Sequence, residues 1–583
     1  MNNGYPSYSE YLSVLEIMKG NMIQDDEGNI IIENDRPQMT FLKQIIEEYE
    51  ASEKYKNMVK SFEYYENKTE ILNAERYYID ESGTQHVDTK LSNAKLNHPI
   101  VTKVVNQKVN FLLSKTFAIQ SLDDKAQEFK TIDDIMNDDI IDERQNDRGM
   151  EFSKLLMKHY FHKKFIQKLK NVGRDSNIMG VSWIHVRYDE KGDLAFDRIS
   201  ALNSIPFYKD NDKTNLVAFC HFYPQVIYAE DSKGNLIKKK QKKIEFYNEF
   251  GIWHYILEDG VISHDPTRNL VSTHFSVENV ISKKEEPMLW NKIPFVPFRA
   301  NWIEMPIIAS IGNLVDEYDR ITSTISNLLN DIPNSIIVVR NYSGENKSDF
   351  TKKLSMYRSI FIRDDGDAKF LQNDFSIDAF EQHLTRLKKD IYEGSATVDT
   401  QETSLGNASG VALKFRLMDL DVACDDMSNE FETGLDNLIE FILDDMINKG
   451  LGDFTDINYD IIFNTNMIIN EEEAVLNAQR MKDTVPTEIL YDAIPFIEDT
   501  KKALALKETE RLKELHNMYQ QAVVLNMATP DIDSSTGDSK NFGDPRNAES
   551  NVNRNEVEGA TPKSKSAREV NKATTIKVTD PKK

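Results

Sequence analysis

The chain has 583 residues, 40% hydrophobic and 29% charged, and a formal charge of −25 from 71 basic and 96 acidic residues. That length exceeds one ordinary core and predicts a soluble, folded protein of two to four domains. The acidic balance argues against a protein that grips nucleic acid through phosphates, since Lys and Arg drive that affinity, but not against one that encloses DNA without sticking to it.

No apolar run approaches the ~18 residues of a membrane span, and "MNNGYPSYSEYL" lacks the basic and apolar regions of a signal peptide. Cys220 and Cys424 lie far apart, so neither a disulfide framework nor a zinc site is indicated, and the expectation is a cytosolic chain with reduced thiols.

Residues 1 to about 180 are mostly helical in pattern, with "EFSKLLMKHYFHKKFIQKLKNVGRD" the clearest amphipathic run. "DDEGNIIIEN" predicts a short hairpin near residue 28. Asp138 and Asp142 lie one helical turn apart, which would admit a metal; with no His or Cys beside them a solvated helix face is favoured.

From about 181 to 300 the hydrophobic period changes to two. "VSWIHVRYDEKGDLAFDRI" reads as strand, turn and returning strand, and "YAEDSKGNLIKKKQKKIEFYNEFGIWHYILEDGVISH" continues with turns at "SKGN" and "EDG". This is an antiparallel β region. Its run Lys238 to Lys243 would touch phosphate or, the favoured reading, guard an exposed strand edge.

Residues 306 to 332 predict a helix whose apolar positions Ile311, Leu314, Val315, Tyr318, Ile321, Ile325, Leu328 and Ile332 step by threes and fours. Pro306 suits its first turn and Pro333 ends it, while Asp316, Glu317 and Asp319 leave an acidic flank. A small α/β insert follows: a strand at "SIIVVR", a short helix, and a hairpin around the Asp-Gly of "SIFIRDDGDAKFL". A second helix returns through Ile377, Phe380, Leu384, Leu387 and Ile391, with Ser376 as N-cap and Gly394 as stop. The expected geometry is an antiparallel pair carrying a knob at its far end.

A polar segment, 394 to 408, then leads into one long helix from about Ser409 to Lys449. Leu413, Leu417, Leu420, Cys424, Met427, Phe431, Leu435, Leu438, Ile442 and Met446 keep one stripe to its end. At 1.5 Å per residue it would be about 60 Å long, a spine linking separate layers. Gly434 predicts a bend or close packing there. One strand, "INYDIIFN", precedes a helical C-terminal layer that opens at Asn470, and from about 528 the composition predicts a disordered tail, basic toward its end.

Catalytic signatures are missing. "GNASGVALK" has no lysine directly after Gly410, so it fails as a phosphate-binding loop. His-Glu-x-x-His, Gly-x-Ser-x-Gly and Cys-x-x-Cys do not occur. His159 and His162 would share a helix face without a third ligand, and His185, His221 and His254 read as sheet residues. No cofactor or metal is expected, although a carboxylate site assembled from distant segments stays open.

The order of parts resembles the portal proteins of tailed bacteriophages, and most nearly those of siphoviruses infecting Gram-positive hosts. "LVDEYDRITSTISNLLNDI", "FEQHLTRLKKDIYEGSATVD" and "GNASGVALKFRLMDLD" carry that resemblance, with weaker likeness at "NHPIVTKVVNQKVNFLLSKTFAI", "MGVSWIHVRYDEKGDLAFD" and "INEEEAVLNAQRMKDTVPTEILYDAIP". It covers roughly residues 90 to 525.

The resemblance implies an α+β portal fold. Residues 1–305 and a strand within 451–468 would form a wing, 306–332 and 375–393 a two-helix stem, and 333–374 a small α/β clip. Segment 394–408 would be a tunnel loop, 409–450 the wing's spine helix, 469–527 a helical crown, and 528–583 the tail. It implies a ring, usually of twelve copies, at one capsid vertex, assembled in the host cytoplasm and kept in the virion. Double-stranded DNA would pass through it, driven by a terminase. Major capsid and scaffolding proteins and a head-to-tail adaptor would be further partners, with no membrane and no catalysis.

Thr397, Asp399, Gln401, Glu402, Ser404 and Asn407 would then belong to the tunnel loop. Arg386, Lys388 and Lys389 would form a basic ring in the lumen, or else offset the negative end of their own helix. Tyr342, Lys352, Lys353, Asp364 and Asp365 would lie on the clip's partner-binding surface. Two alternatives remain: another oligomeric head or neck protein of a virion, and a DNA-processing enzyme.

Overall fold

The computed structural model describes residues 5–24, 30–32, 34–80, 82–89, 91–121, 143–230, 235–278, 285–331, 336–340, 367–371, 377–401, 410–463, 478–482, 484–492, 494, 500, 503–504, 506–511 and 513. The chain divides into two compact units, Met1–Phe496 and Ile497–Lys583. In the second, residues 506–511 are helical. The rest concerns the first unit, which mixes helices with antiparallel sheets.

Helix α1 (Tyr8–Gly20) starts with a capping box, in which Ser7 accepts from the Glu10 amide and the Glu10 carboxylate accepts from the Ser7 amide. Strands β1 (Met22–Gln24) and β2 (Ile30–Ile32) pair antiparallel, the hairpin expected near residue 28. Helices α2 (Arg36–Ala51) and α3 (Glu53–Tyr65) follow, then strands β3 (Tyr77–Ile79) and β4 (Gln85–Val87), helix α4 (Ile100–Leu113) and strand β5 (Ala118–Ser121). Asp138 and Asp142 lie outside the described residues.

The amphipathic run around residue 160 is not one helix. Helix α5 (Glu143–Leu155) passes into a π turn at Leu156–Tyr160, and helix α6 (Lys163–Met179) begins anew after His162. The buried Phe161 turns inward at this junction, and the extended His162 caps α6. His159 and His162 therefore straddle a helix break and share no helix face.

Period-two patterning becomes strands β6 (Val181–Tyr188), β7 (Leu194–Ser200), β8 (Ser204–Tyr208), β9 (Leu216–Glu230), β10 (Leu236–Asn248), β11 (Gly251–Glu258), β12 (Val261–His264) and β13 (Val271–Ser272). The larger sheet runs β12-β11-β10-β9-β8, with β13 on β11. The turn between β11 and β12 is the expected one: Asp259 and Gly260 both take positive φ, as a two-residue hairpin requires. The lysine run does not simply guard an edge. Lys242 and Lys243 pair with strands on both sides, and their ammonium groups reach Glu50 at 2.6 Å and Asp265 at 2.9 Å. Strands β14 (Phe275–Glu278) and β15 (Glu285–Met288) form a separate pair, and β16 (Phe295–Arg299) joins β6 and β7 in the order β16-β6-β7. His185, His221 and His254 are indeed strand residues, with His185 stacked 4.4 Å from Phe295.

Helix α7 (Ile308–Asp331), strands β17 (Ile336–Arg340) and β18 (Asp367–Leu371), and helix α8 (Ile377–Gly394) follow in order. The strands pair antiparallel with each other, so the "DAKFL" strand closes back on the "IIVVR" strand. A Cβ at Gly394, the end of α8, would lie 3.6 Å from Ile311 near the start of α7, and His383 lies 3.9 Å from Glu317. The two helices thus run antiparallel, as their periods predict. Helix α9 (Gly410–Asn448) is 39 residues long. Its expected stripe is buried at Leu420, Cys424, Met427, Phe431, Leu435, Leu438, Ile442 and Met446. Gly434 lets Phe298 of β16 approach; a Cβ there would stand 2.7 Å from the ring. Strand β19 (Tyr459–Ile462) pairs with β5, tying the chain after α9 to the N-terminal part. Among the described residues no helix is long and apolar enough to cross a membrane.

Candidate functional site

The polar segment between α8 and α9 is fixed at its start. Ala396, with φ 50°, carries the left-handed residue of the helix stop, and the Thr397 amide donates to the Tyr392 carbonyl at 2.9 Å. The reversal falls here and not at the expected Gly394 because this bonding satisfies the last carbonyls of α8. Ser395 and Thr397 are buried, their hydroxyls 2.6 Å apart.

Two further contacts hold the next residues to α4. The Gln107 side chain clamps Val398, donating to its carbonyl and accepting from its amide, each at 3.2 Å. Asp399 lies 2.6 Å from Lys388 of α8 and 3.6 Å from Lys103 of α4, and accepts from the Gln401 amide at 3.0 Å. Burial pushes the Asp399 carboxyl up, but the Lys388 hydrogen bond and the other donors outweigh it and hold the group below its ordinary range. The same bond raises Lys388. Lys103 also reaches the Tyr392 hydroxyl at 2.7 Å and stands 5.0 Å from the centre of its ring.

Of the predicted loop residues, then, Thr397 is buried, Asp399 is in an ion pair, and Gln401 is exposed. Glu402, Ser404 and Asn407 lie outside the described residues, as do Tyr342, Lys352, Lys353, Asp364 and Asp365. Of the three basic residues of α8, Lys388 is turned to Asp399. Arg386 is 81% exposed and only 3.8 Å from Asp390, and Lys389 is exposed. The last turn of α8 holds no basic residue, so offsetting the helix's negative end is a poor account of all three.

Helix α7 carries a second polar seam that the pattern did not show. Asp319 is not on an acidic flank: it is buried, accepting from Thr69 at 2.7 Å and from the His98 amide at 3.1 Å. Ser323 accepts from the Leu96 amide at 2.9 Å, and Asn327 from the Ala94 amide at 2.6 Å. Residues 319, 323 and 327 step by four, so one face of α7 binds segment 92–98 through hydrogen bonds while another packs on α8.

A buried charge cluster anchors the base of α7. Glu304, at φ 57° and fully buried, contacts Lys54 at 2.6 Å, Lys213 at 3.0 Å, Arg299 at 3.1 Å and the Tyr5 hydroxyl at 3.0 Å. Burial opposes its ionisation, yet the three cations hold its carboxyl at about 2. In sequence, Glu304 was one acidic residue among 96, and besides Arg299, five residues earlier, its partners come from three distant segments; no periodicity marks it.

An antiparallel helix pair bearing a small β insert thus leads through a clamped loop root into one long helix. The chain is 24% identical over 507 residues to the portal protein of Bacillus phage SPP1, covering 85% of this chain and 91% of that protein. To the portal protein of Clostridium phage phiCD119 it is 27% identical over 360 residues, covering 60% of this chain and 75% of that one. Residues 43–522 match the family described as phage portal protein, SPP1 Gp6-like, and the chain belongs to that family. It is a structural component of a phage capsid, of a kind that assembles with copies of itself and with DNA.

Proposed function

We propose that copies of this chain form a closed ring, usually of twelve, at one capsid vertex, and that DNA enters and leaves through its centre. Helices α7 and α8 make the stem, the segment around β17 and β18 the clip, α9 the spine of the wing, and residues 469–527 the crown. The clip would dock the terminase during packaging and a head-to-tail adaptor afterwards, with major capsid and scaffolding proteins contacting the wing.

The observation that best supports this reading is the loop root. Gln107, Lys103 and Lys388 bind residues 398 and 399, so the segment from Thr400 to Ser409 starts from a fixed post between the stem and α4. A loop working beside passing DNA needs such a post. A charge of −25 per copy lets the ring repel the duplex and avoid stalling it. With Lys388 engaged, Arg386 and Lys389 are the basic residues of α8 left to steady DNA.

Capsids assembled in cells lacking this chain should contain no DNA, and supplying the chain from a plasmid should restore filling. Capsids that fill without it would refute the proposal.

A further inference from the structure

Among the described residues the hairpin of β3 and β4 pairs with no further strand. Its register, Tyr77 opposite Val87 and Ile79 opposite Gln85, puts Tyr77, Ile79 and Val87 on one face. Gln85 shares that face, and a strand face with this much apolar surface ordinarily packs on a core. Here that face is uncovered: Tyr77 is 54% exposed, Ile79 72% and Val87 47%. Tyr78 on the opposite face is 48% exposed and lies 5.5 Å from the His86 ring.

The hairpin is nevertheless firmly built. Asp80 accepts from the Ser82 amide at 2.8 Å, the Ser82 hydroxyl at 2.6 Å and the Thr84 amide at 2.9 Å, and its other oxygen lies 2.8 Å from His86 Nε2. Gly83, with φ 83°, supplies the turn's left-handed residue. At the base, Arg76 donates to the Ser92 carbonyl at 2.6 Å, and the segment leading away is held to α7 at Asn327 and Ser323. An isolated two-stranded hairpin is marginal in water, so a locked turn beneath an uncovered apolar face is a structure prepared for a partner.

We propose that this hairpin docks on a neighbouring copy of the chain, with the Tyr77–Ile79–Val87 face covered by the next protomer; the inference rests on the ring reading above. At roughly 150–250 Å² per fully exposed large side chain, the three large residues of that face leave on the order of 300 Å² uncovered. That reaches the lower end of the largest patch on a typical monomer and is about a third of what each partner buries in a standard interface. The placement also suits a ring. On α7 the hairpin's segment occupies the face of residues 319, 323 and 327, and α8 another, so the hairpin stands on one flank of the stem. A contact that joins one flank to a different surface of the next copy is heterologous, the type of contact that builds a ring when the rotation between copies closes.

The test compares full-length wild type with the double variant Tyr77→Ser/Ile79→Ser by sedimentation across protein concentration, with circular dichroism as the folding control. The variant should stay folded and need about tenfold or more protein to assemble. Assembly at an unchanged concentration would overturn the hairpin inference and leave the ring reading intact. A wild type that stays monomeric at all concentrations would overturn both. Independently, Ile79→Cys carrying a benzophenone maleimide should cross-link copy to copy on irradiation. Cys220 and Cys424 are buried, so the label goes to position 79. Cross-links solely within one chain, or to a different virion protein, would overturn the assignment of a second copy as occupant.

Discussion

Replacing Glu304 with Gln keeps the shape of the side chain and removes one charge from the most heavily paired site among the described residues. The carboxylate is fully buried, and its cations are nearly so: Lys54, Lys213 and Arg299 have side chains 14%, 11% and 10% exposed. Breaking a buried ion pair on one side costs about 3–5 kcal/mol, mostly because the remaining charge is left uncompensated. Here three cations would face each other. Arg299 keeps its bonds to the Tyr208 hydroxyl and the Lys213 carbonyl, both at 3.1 Å, which argues for the lower end, about 3 kcal/mol. Trp183 and Trp253 are fully buried in the same unit, so their fluorescence in a urea titration reports its unfolding. The midpoint should fall well below that of wild type with the native spectrum retained in buffer. The pH dependence has a definite sign. The folded carboxyl titrates at about 2, below its ordinary value of 4.5, so its contribution is complete above about 4.5 and is lost as pH falls toward 2. The variant should therefore be less sensitive to acid over that window. A loss below about 0.5 kcal/mol at neutral pH would refute the reasoning, since that is the scale of an inert surface change.

Gly434→Ala should destabilise by about 1–3 kcal/mol, measured by the same titration, because the new methyl meets the fully buried Phe298 ring. Asp399→Asn should leave stability within about 1 kcal/mol of wild type, its pair being partly exposed, but reduce DNA packaging in infected cells by loosening the loop root. Packaging equal to wild type would count against the root's role. Arg386→Ala with Lys389→Ala should give normal assembly with altered DNA retention or packaged length; unchanged values of both would dismiss these residues as DNA contacts.

The architecture was legible where one periodicity ran long enough to dominate. The stripe from Leu420 to Met446 and the matched steps of Ile311–Val315 and Leu387–Ile391 marked the long helix and the antiparallel pair directly. Turns with glycine chemistry, as at Asp259–Gly260, were equally plain. What escaped was set by contacts between distant segments. Asp319 looks like a solvated acid until Thr69 and His98 are folded against it, and Glu304 carries no local pattern at all. The run through His159 and His162 kept a helical period across a real break, because the buried Phe161 satisfies the pattern while turning the chain. For the loop, composition showed small polar residues but not that Gln107 and two lysines, from α4 and α8, would clamp its root.

The central claim is that this chain closes into a ring around a channel. Electron microscopy of the purified full-length protein tests it most directly. End-on views should show closed rings with a central hole wide enough for a DNA duplex; a ring of one more or fewer subunit still fits the account. Monomers, filaments or closed particles without a hole, at concentrations where the protein is folded, would contradict it.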